Sequence, residues 1–270
     1  LKERIDLLLV ELGYFQSRER AKASIMAGIV FVDGLRCDKP GTSVPKDSII
    51  LVKENLCPYV SRGGLKLEKA INSFGIDLTD KICIDIGAST GGFTDCMLQN
   101  GAKKVYCIDV GKGQLDWKLR NDPRITNMEK VNIRYLDFDL IIDKIDFISI
   151  DVSFISLKLV LPIAKRLLSE SGQIVCLVKP QFEAGREQVG NGIIKDPEIQ
   201  IDVLKRVVNY AETNSLVAAN LTFSPMTGAK GNIEFLLHLQ NVNEIDIAKG
   251  NNINIENIVK EAHIELGGTR

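Results

Sequence analysis

The chain is poor in the residues that most often carry acid–base and metal chemistry. Its 270 residues hold two histidines, His238 and His263, which argues against His-centred catalysis and a His-rich metal site. Six cysteines lie at 37, 57, 83, 96, 107 and 176 with no C-x-x-C pair, so a zinc site has no support. Cys83 and Cys107 fall inside apolar, strand-like runs and read as small core residues in a reducing compartment. The formal net charge of −1 supplies no global basic field, so any nucleic-acid contact must come from local patches. No run approaches the ~18 apolar residues of a membrane span. No signal-peptide pattern stands at the start, where Leu1 rather than Met comes first, and a soluble cytoplasmic protein is the simplest expectation.

What is present organises the chain. A hydrophobic content of 45% is enough for one α/β domain and a small module. Residues 3–12, ERIDLLLVEL, put Ile5, Leu8, Leu9 and Leu12 on one helical face, ended by Gly13. Ser17 reads as the N-cap of a second helix, SRERAKASIMA, stopped by Gly28. The strand IVFVD, an Asp33-Gly34 turn, a proline-bearing loop and the strand SIILV complete a compact α+β module over residues 1–58. Pro58 and Gly63-Gly64 break regular structure, so residues 59–81 read as a linker and a leading helix. Over residues 82–242 strands alternate with helices, the pattern of an α/β fold with a mostly parallel sheet. ICIDI, KVYCIDV, ITNME, DFISIDV, QIVCLVKP, LVAANLTF and IEFLLHL are the seven expected strands. A tail over residues 243–270 ends in a short amphipathic helix.

Residues 1–69 hold twelve Lys/Arg against nine Asp/Glu. Arg18, Arg20 and Lys22 open the second helix, and Arg36 and Lys39 follow the turn. Such a cluster is either an ordinary solvated face or a phosphate-contacting surface.

The strongest local signal is the run from Asp85 through Gly87, Ala88, Ser89, Thr90, Gly91 and Gly92 to Phe93. It follows a buried-type strand and opens a helix, where glycines let backbone approach a ligand and free N–H groups face it. The spacing is not G-x-G-x-x-G, so the dinucleotide fingerprint fails. Asp85 at one strand end and Asp109 at the next fit an adenosine-bearing ligand, with Asp109 accepting from ribose hydroxyls. S-adenosylmethionine is such a ligand, and it has no pyrophosphate. Asp137, in YLDFDL, is either a partner of the adenine amino group or a loop-capping acid. Asp151 and Lys179 end adjacent strands, at the edge where open α/β sheets bind ligands. They form a pocket pair or an ordinary strand-end ion pair.

SRGGLKLEKA, DIGASTGGFTD, DVGKGQLDWKLRNDPR, DVSFISL, LVKPQFE and GNIEFLL together closely resemble the TlyA family. Its members are ribosomal RNA 2′-O-methyltransferases with an FtsJ-like catalytic domain, often labelled hemolysins. RIDLLLVELGYFQSRERAKASIMAGIVFVDG resembles that family's N-terminal RNA-binding domain, of the ribosomal-protein S-four type. The resemblance covers nearly the whole chain. It implies a class I, Rossmann-like methyltransferase behind a small RNA-binding domain, with S-adenosylmethionine as donor and cytidines of ribosomal RNA, in ribosomal subunits, as acceptor. Neither metal nor membrane enters that expectation. The FtsJ-like Lys-Asp-Lys-Glu tetrad falls by motif on Lys66, Asp151, Lys179 and Glu234. The donor site falls on Asp85, Gly87, Ser89, Thr90, Gly91, Gly92, Phe93 and Asp109, with Asp137 added from its position. RNA contacts are expected at Arg4, Arg18, Arg20, Lys22, Arg36 and Arg62. One departure is visible: the family's linker often reads Arg-x-Trp-Val, whereas here it is Cys57-Pro58-Tyr59-Val60.

The implied reaction is in-line attack of a 2′-oxygen on a sulfonium methyl, in which alignment alone supplies roughly 7–11 kcal/mol in favourable cases. Lys179 is either the base, or, with Lys66, a group that orients the hydroxyl and stabilises oxyanion charge while Asp151 and Glu234 hold the lysines. Three other readings compete. A dehydrogenase lacks its glycine fingerprint, and a membrane-active hemolysin lacks a convincing amphipathic segment. An assembly factor with an inactive catalytic domain would not need an intact tetrad.

Overall fold

A computed structural model describes residues 2–15, 17–26, 28–52, 57–185, 187–241 and 253–267. The chain divides into two compact units, Leu1–Pro58 and Tyr59–Arg270.

In the first unit, strand β1 (Lys2–Arg4) leads into helix α1 (Ile5–Glu11), followed by α2 (Arg18–Met26), β2 (Val30–Val32), β3 (Leu35–Arg36), β4 (Ser43–Pro45) and β5 (Ile50–Val52). The first helix starts two residues later than its periodicity suggests. Residues 2–4 are instead taken up in antiparallel pairing with β4, a tertiary contact that local pattern cannot report. Ile5, Leu8 and Leu9 from α1 meet Ala21 and Ile25 from α2 over Val30, Cys37 and Val44. Asp33 and Gly34 both take positive φ, 51° and 80°, the geometry that lets a two-residue turn join β2 to β3 without splaying them.

Asp6 is fully buried at the start of α1. Its carboxylate accepts from Arg4 Nε and Nη2, each at 3.0 Å, and from Arg18 Nε at 2.9 Å. Arg4 and Arg18, both expected on an RNA surface, therefore turn part of their donor capacity inward, with side chains 45% and 41% exposed. Arg20 is exposed and Lys22 half-buried. Arg36 is exposed, and its guanidinium lies over Gly28 so closely that a Cβ there would overlap it.

The second unit runs α3 (Gly63–Phe74), β6 (Ile82–Ile86), α4 (Gly92–Gln99), β7 (Lys104–Asp109), α5 (Trp117–Arg120), β8 (Ile125–Glu129) and β9 (Ile145–Ile150), then α6 (Leu157–Leu167), β10 (Leu168–Val178), α7 (Pro180–Glu183), α8 (Pro197–Glu212), β11 (Leu216–Phe223), β12 (Phe235–Asn241) and α9 (Ile255–Gly267). Its sheet has seven strands in the order β11-β12-β10-β9-β6-β7-β8. Strands β10, β9, β6, β7 and β8 are parallel, and β12 runs antiparallel between β10 and β11. This is the expected Rossmann-like, mostly parallel sheet. One face carries Ile84, Ile86, Ile148 and Ile150 into a core with α6, α8 and α9. On the other, Thr94 of α4 reaches Asp85 of β6.

The Gly63-Gly64 pair does not break structure, contrary to the sequence expectation. It forms the first turn of α3, because small residues are needed where helix starts crowd together. A Cβ on Gly64 would overlap the Tyr59 ring, and one on Gly92 would lie 2.8 Å from the Gly64 nitrogen. Strand β10 begins at Leu168, five residues before the expected start, and pairs with β9 across a register shift between Leu168 and Gln173. Residues 243–252 and 268–270 of the expected tail lie outside the described residues. Helix α9 beyond them buries Ile255, Val259 and Ala262, and His263 Nε2 meets Gln200 Oε1 of α8 at 2.9 Å. Five of the six free cysteines are buried, and burial pushes the Cys83, Cys107 and Cys176 thiols up. Among the described residues no helix is long and apolar enough to cross a membrane.

The Arg4 hydrogen bond outweighs burial and, with Arg18, holds the Asp6 carboxyl down at about 2. Its contribution to stability is therefore complete above its unfolded value near 4 and is lost as pH falls from there towards about 2. Asp6→Ala should remove about 1–3 kcal/mol from the first unit and flatten that acid limb. Hydrogen exchange of α1 and α2 in the full chain, measured against pH, reads both effects.

Candidate active site

The crossover connections reverse direction between β6 and β9, so the carboxyl ends of those two strands form the crevice where open α/β sheets take ligands. Two cavities meet there. One, of about 560 Å³, has apolar walls from Ile86, Ile108, Ile133 and Ile155, with Asp109, Gln114 and Asn132 at its polar edge. The other, of about 410 Å³, is walled by Ser61, Arg62, Lys66, Thr90, Phe93 and the 226–228 loop. Gly87, Ser89 and Asp151 line both.

Backbone packing at this junction is as tight as backbone allows. Gly87 has φ +89°, and a Cβ on it would overlap the Asp151 carbonyl oxygen. Asp151 N donates to Ile86 O at 2.9 Å and Gly87 N to Ile108 O at 2.8 Å, so three strand ends are tied together. Ser89 N donates to Asp109 Oδ2 at 2.8 Å and Gly111 N to Asp109 Oδ1 at 2.6 Å. Each oxygen of Asp109 keeps a lone pair for a ligand hydroxyl.

Four charged side chains stand here as two pairs. Lys66 Nζ donates to Glu234 Oε2 at 2.5 Å, with the side chains 13% and 3% exposed. Lys179 Nζ lies 2.6 Å from Asp151 Oδ1, with the side chains 10% and 22% exposed. Lys179 Nζ also donates to Ser153 Oγ at 3.0 Å. The Asp151 contact is an ion pair outside hydrogen-bond geometry, which leaves Oδ1 without a hydrogen-bond donor. Glu234 sits under Gly228, where a Cβ would overlap its Oε1. Burying two ion pairs is weak support for stability; Lys66 and Asp151 bring one member of each pair to a cavity wall, with Glu234 and Lys179 behind them, and that placement points to chemistry.

The sequence profile of FtsJ-like methyltransferases matches residues 59–241, and that of the S4 domain matches residues 3–50. The chain belongs to the FtsJ-like methyltransferase family. It is 55% identical over 240 residues to the Bacillus subtilis protein YqxC, whose name carries an rRNA methyltransferase assignment; the match covers 88% of this chain and 85% of that one. It is 41% identical over 241 residues to a Mycobacterium tuberculosis protein named 16S/23S rRNA (cytidine-2′-O)-methyltransferase TlyA, covering 88% and 90%. A solved structure from Streptococcus thermophilus that carries a hemolysin name superposes with a TM-score of 0.77 at 48% identity, covering 98% of this chain and 97% of that one.

Within this methyltransferase, several residues expected to touch the donor stand behind the cavity wall. Asp85 is fully buried: Oδ2 accepts from Thr94 Oγ1 at 2.7 Å and Oδ1 from Ser149 Oγ at 3.0 Å. It braces the strand end beneath Gly87 and lines neither cavity. Gly91 caps α4 and packs against Leu115 and Leu119. Asp137 is exposed, accepts from Asp139 N at 3.1 Å and caps the short turn Phe138–Leu140. That geometry is the loop-capping alternative for Asp137, and Asn132 and Ile133, not Asp137, line the larger cavity. Gly87 and Ser89 line both cavities and Asp109 the larger one, Thr90, Gly92, Phe93, Arg62 and Lys66 line the smaller one, and Lys179 and Glu234 line neither. Sequence reasoning missed Ser153 and the Met226–Gly228 loop. Ser153 stood inside a motif already singled out, two residues after Asp151. The loop has only a glycine to mark it.

Burial, against the Thr94 and Ser149 hydrogen bonds, pushes the Asp85 carboxyl up to about 6. A raised acid pKa means that the folded state holds the proton more tightly, so stability falls as pH climbs from about 4 to about 6, by on the order of 2–3 kcal/mol. Asp85→Asn keeps the shape, and both hydroxyls can rotate to satisfy it. Denaturation midpoints between pH 4 and 7 should show that slope in the wild type and lose it in the variant.

Proposed function

We propose that this methyltransferase moves a methyl group from S-adenosylmethionine to a ribose 2′-hydroxyl of ribosomal RNA, with cytidine as the nucleotide. The observation that carries this reading is the junction itself: an apolar, Asp109-edged cavity opens at Gly87 and Asp151 onto a second cavity walled by Lys66. One suits a nucleoside-bearing donor, and the other suits an acceptor ringed by charge. The names of the rRNA-methylating relatives support the acceptor.

The residues at this junction fit the donor. The isoleucine walls suit an adenine face, the free lone pairs of Asp109 suit ribose hydroxyls, and the turn at Gly87 leaves room where a side chain would intrude. S-adenosylmethionine, when bound, supplies a methyl carbon activated by sulfonium. The chain's own part is alignment and charge. Lys66 and Lys179 donate to the acceptor oxygen and stabilise the negative charge that develops on it as the hydroxyl proton is released to solvent. Glu234 and Asp151 fix those ammonium groups at 2.5 and 2.6 Å. Ser153 gives Lys179 a second anchor, so its direction is set by two partners.

The S4 unit is proposed to hold folded RNA through phosphates, with exposed Arg20 and half-buried Lys22 as contacts. Arg20→Ala with Lys22→Ala should weaken RNA binding across sequences and reduce the slope of log affinity against log salt by about 2. Donor affinity should not change. A filter-binding series over salt concentration measures all three.

The decisive experiment incubates purified protein, labelled donor and ribosomal RNA and maps ribose 2′-O-methylation. Lys179→Ala should lower transfer by about 100-fold or more while donor affinity stays within a few-fold. Activity within a few-fold of wild type in that variant would remove the tetrad assignment. Methyl found only on bases would remove the acceptor.

A further inference from the structure

In the loop and helix that follow β7, Gln114 edges a cavity of the transfer site, whereas Lys112, Trp117 and Lys118 line neither cavity. Helix α5 is four residues long and is fixed firmly to the donor turn. Leu115 and Leu119 are buried against Gly91, Asp116 N donates to Thr90 O at 3.2 Å, and Arg120 holds both Leu115 O and Glu129. Yet Trp117, in the middle of this anchored segment, is 73% exposed. Leaving a large aromatic in water forfeits burial that would stabilise the fold. A rigid mounting also removes the ordering cost of using it for binding.

The surroundings say what it would bind. Lys112, Lys130 and Arg134 are exposed along the same rim, and Lys118 is 68% exposed, reaching Asp95 only at 3.4 Å. Hydrogen bonds bring the segments of Lys112 and Lys130 together, since Lys130 N donates to Gly111 O and Gly113 N to Glu129 Oε1; Arg134 lines the same cavity as Gln114, and Lys118 follows Trp117 in α5. The nearby acids are spent inward. Asp109 takes two backbone N–H groups, Asp116 caps α5, and Glu129 takes Gly113 N and Arg120. A second aromatic, Tyr135, is 78% exposed with the Arg134 guanidinium 5.3 Å over its ring. Exposed aromatics set among unneutralised cations form the surface on which nucleic-acid bases stack while phosphates are held.

We infer that Trp117, flanked by Lys112, Lys118, Lys130 and Arg134, is a base-stacking platform for RNA on the catalytic unit itself. It rests on the reading of RNA as the acceptor. Because α5 packs on the 87–92 turn, RNA seated there contacts the element that borders the donor cavity.

Trp117 is the only tryptophan in the chain, so its emission reports this face alone. Deproteinised bacterial ribosomal RNA is titrated into the full-length protein at about 50 and 200 mM salt, with binding followed separately by filter retention. Emission should quench in step with RNA bound. Trp117→Ala should weaken binding by about 5- to 150-fold, the range of one lost base–aromatic stack, and Trp117→Phe should recover most of it. Unchanged emission at RNA saturation would overturn the inference, as would wild-type affinity in a folded Trp117→Ala protein. A quench by ribosomal proteins but not by RNA would assign the face to a protein partner and also overturn it. Methyl transfer by wild type with a silent Trp117 sinks the platform alone, whereas quenching without any transfer to RNA sinks the acceptor reading alone.

Discussion

Strands β6 and β9 end with their backbones in contact, and the contact admits only hydrogen at Gly87 Cα. A side chain there would push the Asp151 carbonyl away, and with it the carboxylate that holds Lys179 2.6 Å from its oxygen. The same glycine, at φ +89°, turns the chain so that Ser89 N meets Asp109. One close approach thus sets the distance between a nucleoside-sized cavity and a charged one. The rest of the catalytic unit keeps that junction in register. Asp85 braces it from below with two hydroxyl partners, and the hydrogen bonds from Gly87 and Asp151 to Ile108 and Ile86 lace β7, β6 and β9 together.

Charge in this molecule is arranged by burial rather than by amount. A net charge of −1 over 270 residues gives no long-range pull on RNA. Charges matter here where water is excluded, as in the two buried pairs that reach the cavity wall through Lys66 and Asp151, or where nearby acids are tied up, as on the rim of α5. His238 shows the reverse case. It stacks on Phe74 at 5.4 Å, and burial lowers its pKa to about 4. It is a neutral core side chain bonded to Gln173 and Asn220.

Much was legible without coordinates. Buried strands read as apolar runs such as ICIDI because both faces of a parallel strand are covered, and the seven segments appeared in order. The four tetrad residues were reached through motifs, since nothing in local sequence says that Lys66 and Glu234, 168 positions apart, will meet. Where local reading failed, the cause was tertiary. Gly63 and Gly64 look like breakers, yet they sit in a helix because Tyr59 and Gly92 press on them. Lys2–Arg4 look helical, yet they pair with β4.

By itself, then, the chain's order of residues determined the alternation of strand and helix, the glycine turn after β6 and the set of charged residues available, because each depends on period, φ preference or composition. Tertiary structure alone decided which carboxylates face a cavity. Asp85, Asp109 and Asp137 are all acids near the expected donor edge. One is sealed under hydroxyls, one edges the ligand space and one caps a surface turn. Their fates differ because direction and solvent access belong to the packed sheet and not to the residue type.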